Sequence, residues 1–87
     1  MQRDAIEKEI LRIFKEQFEI EDPGLDENLS EVYEFDSIDA IELLKELEIL
    51  LETELSRPEQ KAAMEIRTIN QIIDYVENLA RHHKPSA

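Results

Sequence analysis

The 87-residue sequence predicts an all-α fold, a four-helix bundle with a short third helix and a long loop between the first and second helices. Three observations predict it. Apolar residues recur at three- and four-residue spacing in separate stretches, the period of one helix face. One glycine and three prolines are too few for an all-β chain built on many tight turns. Each of the three later helices opens on a capping pattern.

The first helix is expected over residues 4–18. Ile6, Ile10, Ile13, Phe14 and Phe18, with Leu11 beside them, form its core stripe. Asp4 and Glu7 suit its N-terminal end, where the helix dipole favours anions. Residues 19–35 read as a loop, with Asp22-Pro23-Gly24 as a turn signal. Leu25, Leu29 and Val32 are enough to pin this loop on a core but too sparse for a long helix; a short turn around Asn28–Val32 is compatible with them. A loop this long in so small a domain is often functional.

The second helix is expected over residues 37–52. Asp36 caps it, and Asp39 completes a pair like a capping box. Ala40, Leu43, Leu44, Leu47, Leu50 and Leu51 make the core stripe. A second stripe consists of Ile38, Ile41 and Lys45, flanked by Asp39, Glu42, Glu46 and Glu48. One helix of a small domain does not bury both, so the second stripe is expected to be a docking patch inside an acidic ring.

Ser56-Arg57-Pro58-Glu59 has the S-x-x-E capping pattern. A short third helix follows at about 57–65, with Ala62, Ala63 and Met64 as apolar content. Thr68-Ile69-Asn70-Gln71 opens a fourth helix to about residue 81, with Ile69, Ile72, Ile73, Val76 and Leu79 facing the core. Arg81, His82, His83 and Lys84 put positive charge at its C-terminal end. A frayed tail is expected from about 82 to 87, within a single domain spanning 1–87.

Charge and composition exclude several functions. The 22 Asp/Glu against 10 Lys/Arg give a net charge of -12. Such a surface repels nucleic-acid phosphates and anionic membranes and attracts basic proteins. No Lys or Arg occurs from Glu16 to Leu44. The apolar run Ile49-Leu50-Leu51 is far too short to span a bilayer, and the N-terminus runs straight into an amphipathic pattern. A soluble, cytoplasmic monomer without stable membrane insertion is expected. With no cysteine there is no thiol nucleophile or zinc-thiolate site. His82 and His83 are adjacent and share no helix face, no EF-hand loop occurs, and Gly24 is the one glycine. No metal site is expected, beyond carboxylates in the acidic loop that would hold Ca²⁺ or Mg²⁺ loosely.

That leaves Ser37, between Asp36 and Asp39. No general base is marked for it, so no catalytic residue is expected and a hydrolase triad is disfavoured. A hydroxyl in the first turn of a helix serves instead as an attachment point. The dipole and free N–H groups there favour a phosphate, while the two flanking acids push it towards solvent. An ordinary cap is the competing reading.

Asp36-Ser37-Ile38 matches the D-S-[LI] motif that acyl carrier proteins place at the start of helix two. Asp39-Ala40-Ile41-Glu42-Leu43 resembles that family's acidic recognition helix, and Thr68-Ile69 through Ile73-Asp74-Tyr75-Val76 resembles its last helix. The resemblance covers roughly residues 4–80. It implies that Ser37 receives 4'-phosphopantetheine from coenzyme A through a phosphopantetheinyl transferase. The thiol of that group, which this chain lacks, would hold acyl groups as thioesters. The chain would then be a carrier and not an enzyme, serving acyl-transferring or condensing enzymes of fatty acid, lipid or polyketide-type biosynthesis. Docking to basic patches on these partners would use Asp36, Ile38, Asp39, Ile41, Glu42 and Glu48, with Lys45 standing where the family commonly has an apolar residue. An acyl cavity lined by Phe35, Leu47 and Ile69 is also implied.

The departures imply a specialised, free-standing carrier. Glu34 stands where a glycine is frequent, and the stretch from Ser56 to Arg67 is longer than common and carries Arg57, Lys61 and Arg67. Two alternatives compete: an aminoacyl or peptidyl carrier using the same serine, and an acidic protein-interaction module with no prosthetic group. The dense acids of the second helix favour the acyl version.

Overall fold

The computed structural model describes residues 2–82 as five helices joined by turns, with no strand among them. They are α1 (Arg3–Phe18), α2 (Leu29–Tyr33), α3 (Ser37–Leu51), α4 (Arg57–Ala63) and α5 (Ile69–His82). Four of them are the expected bundle helices. The fifth, α2, is the short turn near Asn28–Val32 wound into a helix. Asn28 starts it by accepting the Glu31 N–H at 3.1 Å, and buried Leu29 pins it to the core. It ends after five residues at Glu34, which turns left-handed. Of the expected tail, His82 closes α5 and residues 83–87 lie outside the described residues.

The main core joins Ile6, Ile10, Ile13 and Phe14 of α1 to Leu43 and Leu47 of α3 and Ile69, Ile72, Ile73 and Val76 of α5, with Leu29 beneath α2. Full burial of each such side chain is worth about 1.5–3 kcal/mol. A smaller cluster of Leu44, Leu55, Ala63 and Leu79 fastens α4 to α3 and α5. At under two turns, α4 ends at Ala63 instead of residue 65 and sends Ala63 alone inward; Ala62 and Met64 face solvent. Beside this cluster the Tyr75 hydroxyl donates to the Glu59 backbone carbonyl. Its pKa is pushed up to about 12, first by burial and then by the charges of Glu59 and Glu48.

The long loop is tied to the start of α5. The Leu29 N–H donates to the Arg67 carbonyl at 2.8 Å and the Asn70 N–H to the Leu25 carbonyl at 3.0 Å. The Asn70 amide also donates to Asp26 Oδ1 at 2.7 Å. Within the loop, Glu27 Oε1 accepts from the Gly24 N–H at 2.6 Å and the Tyr33 hydroxyl at 3.0 Å. The acids of this loop gather at no common point: among the described residues no three His, Asp or Glu side chains converge as metal ligands. No helix of the described residues is long and apolar enough to cross a membrane.

Candidate functional site

Ser37 is the first residue of α3, and Asp36 is its cap. Asp36 has an extended backbone, and its Oδ1 accepts the Ile38 and Asp39 N–H groups, both at 3.0 Å. Asp39 Oδ2 accepts the Asp36 N–H in return at 3.1 Å. The reciprocal box forms with Asp in place of the usual Glu because the N3 side chain needs to reach only one turn back. Both carboxylates flanking Ser37 therefore hold backbone. Ser37 is exposed, and among the described residues its Oγ has no hydrogen-bond partner. The capping work falls to Asp36, which leaves the serine hydroxyl available.

Beside Ser37 lies an open groove of about 530 Å³. It is lined by Leu29, Phe35 and Ala40 from the segment around Ser37 and by Met64, Ile66 and Arg67 from the link between α4 and α5. The groove is shallow. At its inner end the Phe35 ring packs on Phe14 and Phe18, with all three centroid separations between 5.3 and 5.4 Å. Of the residues expected to line an acyl cavity, only Phe35 does so here. Leu47 and Ile69 are fully buried in the core and do not line this groove.

A phosphopantetheine arm fits these residues. Ser37 is exposed, and the groove, about 530 Å³, lies within the roughly 300–1,000 Å³ typical of small-ligand sites. Its walls offer methyl-bearing side chains for the arm's apolar segments, and a guanidinium and the Ser30 hydroxyl for its polar ones.

On α3, Ile38 is 72% exposed and Ile41 47%. Lys45 is also exposed, with its Nζ 3.9 Å from Glu42 Oε1. Ile49, 71% exposed, continues the same stripe at steps of three and four residues. Sequence reasoning stopped at Lys45, although the same spacing leads on to Ile49. Glu48 is placed differently from the rest of the expected docking set. It is half-buried and accepts the Leu55 N–H at 2.8 Å, which holds the chain that leads to α4. Ser30, Met64 and Arg67 were not singled out for the site; no local pattern marks them, because tertiary folding alone brings them to Ser37.

Neither a curated protein nor a solved structure matches the chain. Residues 8–76 match the family described as the phosphopantetheine attachment site, a span that contains Ser37 and every residue lining the groove. Matched from α1 through most of α5, the chain belongs to the phosphopantetheine attachment site family, whose domains take 4'-phosphopantetheine as a covalent group.

Proposed function

We propose that Ser37 bears the 4'-phosphopantetheine and that the chain is a cytoplasmic, monomeric carrier of acyl thioesters. Its partners are acyl-transferring or condensing enzymes of fatty acid, lipid or polyketide-type biosynthesis. One observation carries the choice of residue: Ser37 is the first residue of the 15-residue α3, directly behind its Asp36 cap, and its hydroxyl is uncommitted. Three serines lie within the matched span, Ser30, Ser37 and Ser56. Ser56 caps α4 by accepting the Glu59 N–H at 3.3 Å, and Ser30 sits inside the five-residue α2.

In loading, Ser37 Oγ forms a bond to the phosphorus of coenzyme A that bears the pantetheine. The pyrophosphate bridge breaks, adenosine 3',5'-bisphosphate leaves, and the hydroxyl proton passes to the transferase. Once bound, the group supplies the thiol on which acyl chains are held. The residues of α3 then handle recognition. Ile38 and Ile41 offer apolar contact, and Asp36, Asp39 and Glu42, with Lys45 among them, set the charge pattern that basic partners read, while Glu48 is turned to the Leu55 N–H. Exposed pairs of this kind guide encounter and are sensitive to salt. The acids along α3 favour acyl over aminoacyl or peptidyl cargo.

The test is to incubate the protein with coenzyme A and a broad-specificity phosphopantetheinyl transferase, then to weigh it. The expected result is a gain of one arm in the wild type and none in Ser37→Ala. No gain in the wild type overturns the carrier reading, and a gain in Ser37→Ala moves the attachment elsewhere.

A further inference from the structure

We infer that the groove beside Ser37 is a berth for the phosphopantetheine arm and that Arg67 is the residue that binds its phosphodiester. The inference rests on Ser37 as the attachment residue.

Arg67 is fixed at both ends. Its backbone N–H donates to Gln71 Oε1 at 2.6 Å, and its carbonyl accepts the Leu29 N–H at 2.8 Å. Its Nη1 donates to the Met64 and Ile66 carbonyls at 2.8 and 3.0 Å. Among the described residues Nε and Nη2 have no partner. A guanidinium already held in place loses little freedom when it takes an anion, and two remaining donors match a phosphate fork.

The charges around it point the same way. No Lys or Arg occurs between residues 16 and 44, and Arg67 is the cation among the groove's lining residues. The lining acid, Asp36, already accepts two N–H groups on Oδ1. A phosphodiester on Ser37 is repelled by Asp36 and Asp39 and drawn across the groove to Arg67. The flanking acids alone would send it to solvent; Arg67, lining the same groove, gives it a second place to go.

The rest of the arm finds matching surfaces. Ala40, Met64 and Ile66 suit its methyl and methylene groups, and Ser30 suits an amide. Met64 is a large apolar side chain left exposed, and methionine adapts readily to the shape of a ligand.

The test compares apo protein, holo protein with a free thiol, and holo protein loaded with succinyl, all ¹⁵N-labelled and checked by mass. On conversion of apo to free-thiol holo protein, shifts are expected at the amides of Ser30, Ala40, Met64 and Ile66 and at Arg67 Nε–H. The melting temperature is expected to rise by a few degrees. In Arg67→Gln the arm is still attached, but the rise is lost and the ³¹P resonance moves. Because Arg67 also bonds the Met64 and Ile66 carbonyls of the link after α4, a second variant is used. Ala40→Leu narrows the groove while leaving Arg67 in place and is expected to lose the shifts at Met64 and Ile66, with attachment of the arm checked by mass. Shifts confined to residues 36–39 in the wild type overturn the berth. Movement of Arg67 Nε–H only with the succinyl cargo assigns the anion to the cargo's carboxylate and overturns the phosphodiester contact. A missing mass gain, by contrast, counts against Ser37 itself.

Discussion

Phe35 stacks on Phe14 with ring centroids 5.4 Å apart and planes 28° from parallel, so the residue just ahead of the α3 cap rests on the first helix. Phe18 meets the edge of this pair, 5.3 Å from each ring. Such aromatic pairs add about 0.5–1.5 kcal/mol beyond the area they bury. Phe35→Ala is expected to destabilise the fold by roughly 2 kcal/mol, less than a fully buried phenylalanine because this ring is only half-buried. Phe35→Leu should lose about half as much. Urea denaturation checks both, and a loss under about 0.5 kcal/mol for the alanine would show that the three rings are not coupled.

Glu34 occupies the left-handed region with φ 57° at the end of α2. A residue with a Cβ pays about 1–2 kcal/mol there, and glycine does not. This accounts for the glycine frequent at this place in the carriers the sequence resembles. Glu34→Gly is expected to stabilise by up to about 1 kcal/mol after the greater entropy of the unfolded glycine chain is subtracted. Glu34→Ala should bring no such gain. A destabilised glycine variant would mean that the Glu34 side chain matters more than its backbone.

Tyr75 makes stability depend on pH at the alkaline end. Its folded pKa, about 12, lies above its ordinary value of 10.0, so folding favours the neutral phenol. The corresponding stability is fully present below pH 10 and is lost as pH rises towards 12. The side chain is only partly buried, so after solvent screening the effect is put at about 1 kcal/mol or less. Thermal melts of wild type and Tyr75→Phe from pH 8 to 12 read it. The phenylalanine variant should fall less steeply; parallel curves would remove Tyr75 from the account.

The exposed stripe on α3 is expected to affect partners and not folding. Ile41→Ala should slow acyl transfer by roughly tenfold, the effect of losing an interface contact worth about 1.4 kcal/mol. Its melting temperature should hardly change, since exposed substitutions usually stay within about 0.5 kcal/mol. Glu42→Lys should act in the same direction, with a penalty that shrinks as salt is added. A large fall in melting temperature for Ile41→Ala would place that residue in the core.

The helices were legible because their period and caps are local. Ile6, Ile10, Ile13 and Phe14 recur on one face, and Asp36, Ser56 and Thr68 announce three helix starts within four residues each. The short α2 was only hinted at, because Asn28 and Leu29 supply a cap and one anchor but no stripe. Leu55 was missed as a core residue because it stands alone in a link. The place of Ser37 at the start of α3 was legible from the Asp36 cap, and the groove beside it was not. The opposite wall lies in a different part of the chain, and nothing near Arg67 in sequence shows which face it turns to Ser37.

The ties between the long loop and the start of α5 also bear on the order of opening. Asn70 and Asp26 are bonded across 44 positions, whereas each helix is built from neighbours a turn apart. The seam rests on a few hydrogen bonds, one of them exposed, whereas α1, α3 and α5 share the buried core, so the seam is expected to open first. Amide hydrogen exchange should therefore be faster at Leu29 and Asn70, which donate across it, than at Ile72 and Val76 within α5. Partial opening there separates the two walls of the groove while α1, α3 and α5 remain packed. The region around Ser37 would then be the protein's least cooperative part, able to part for a transferase without the cost of global unfolding.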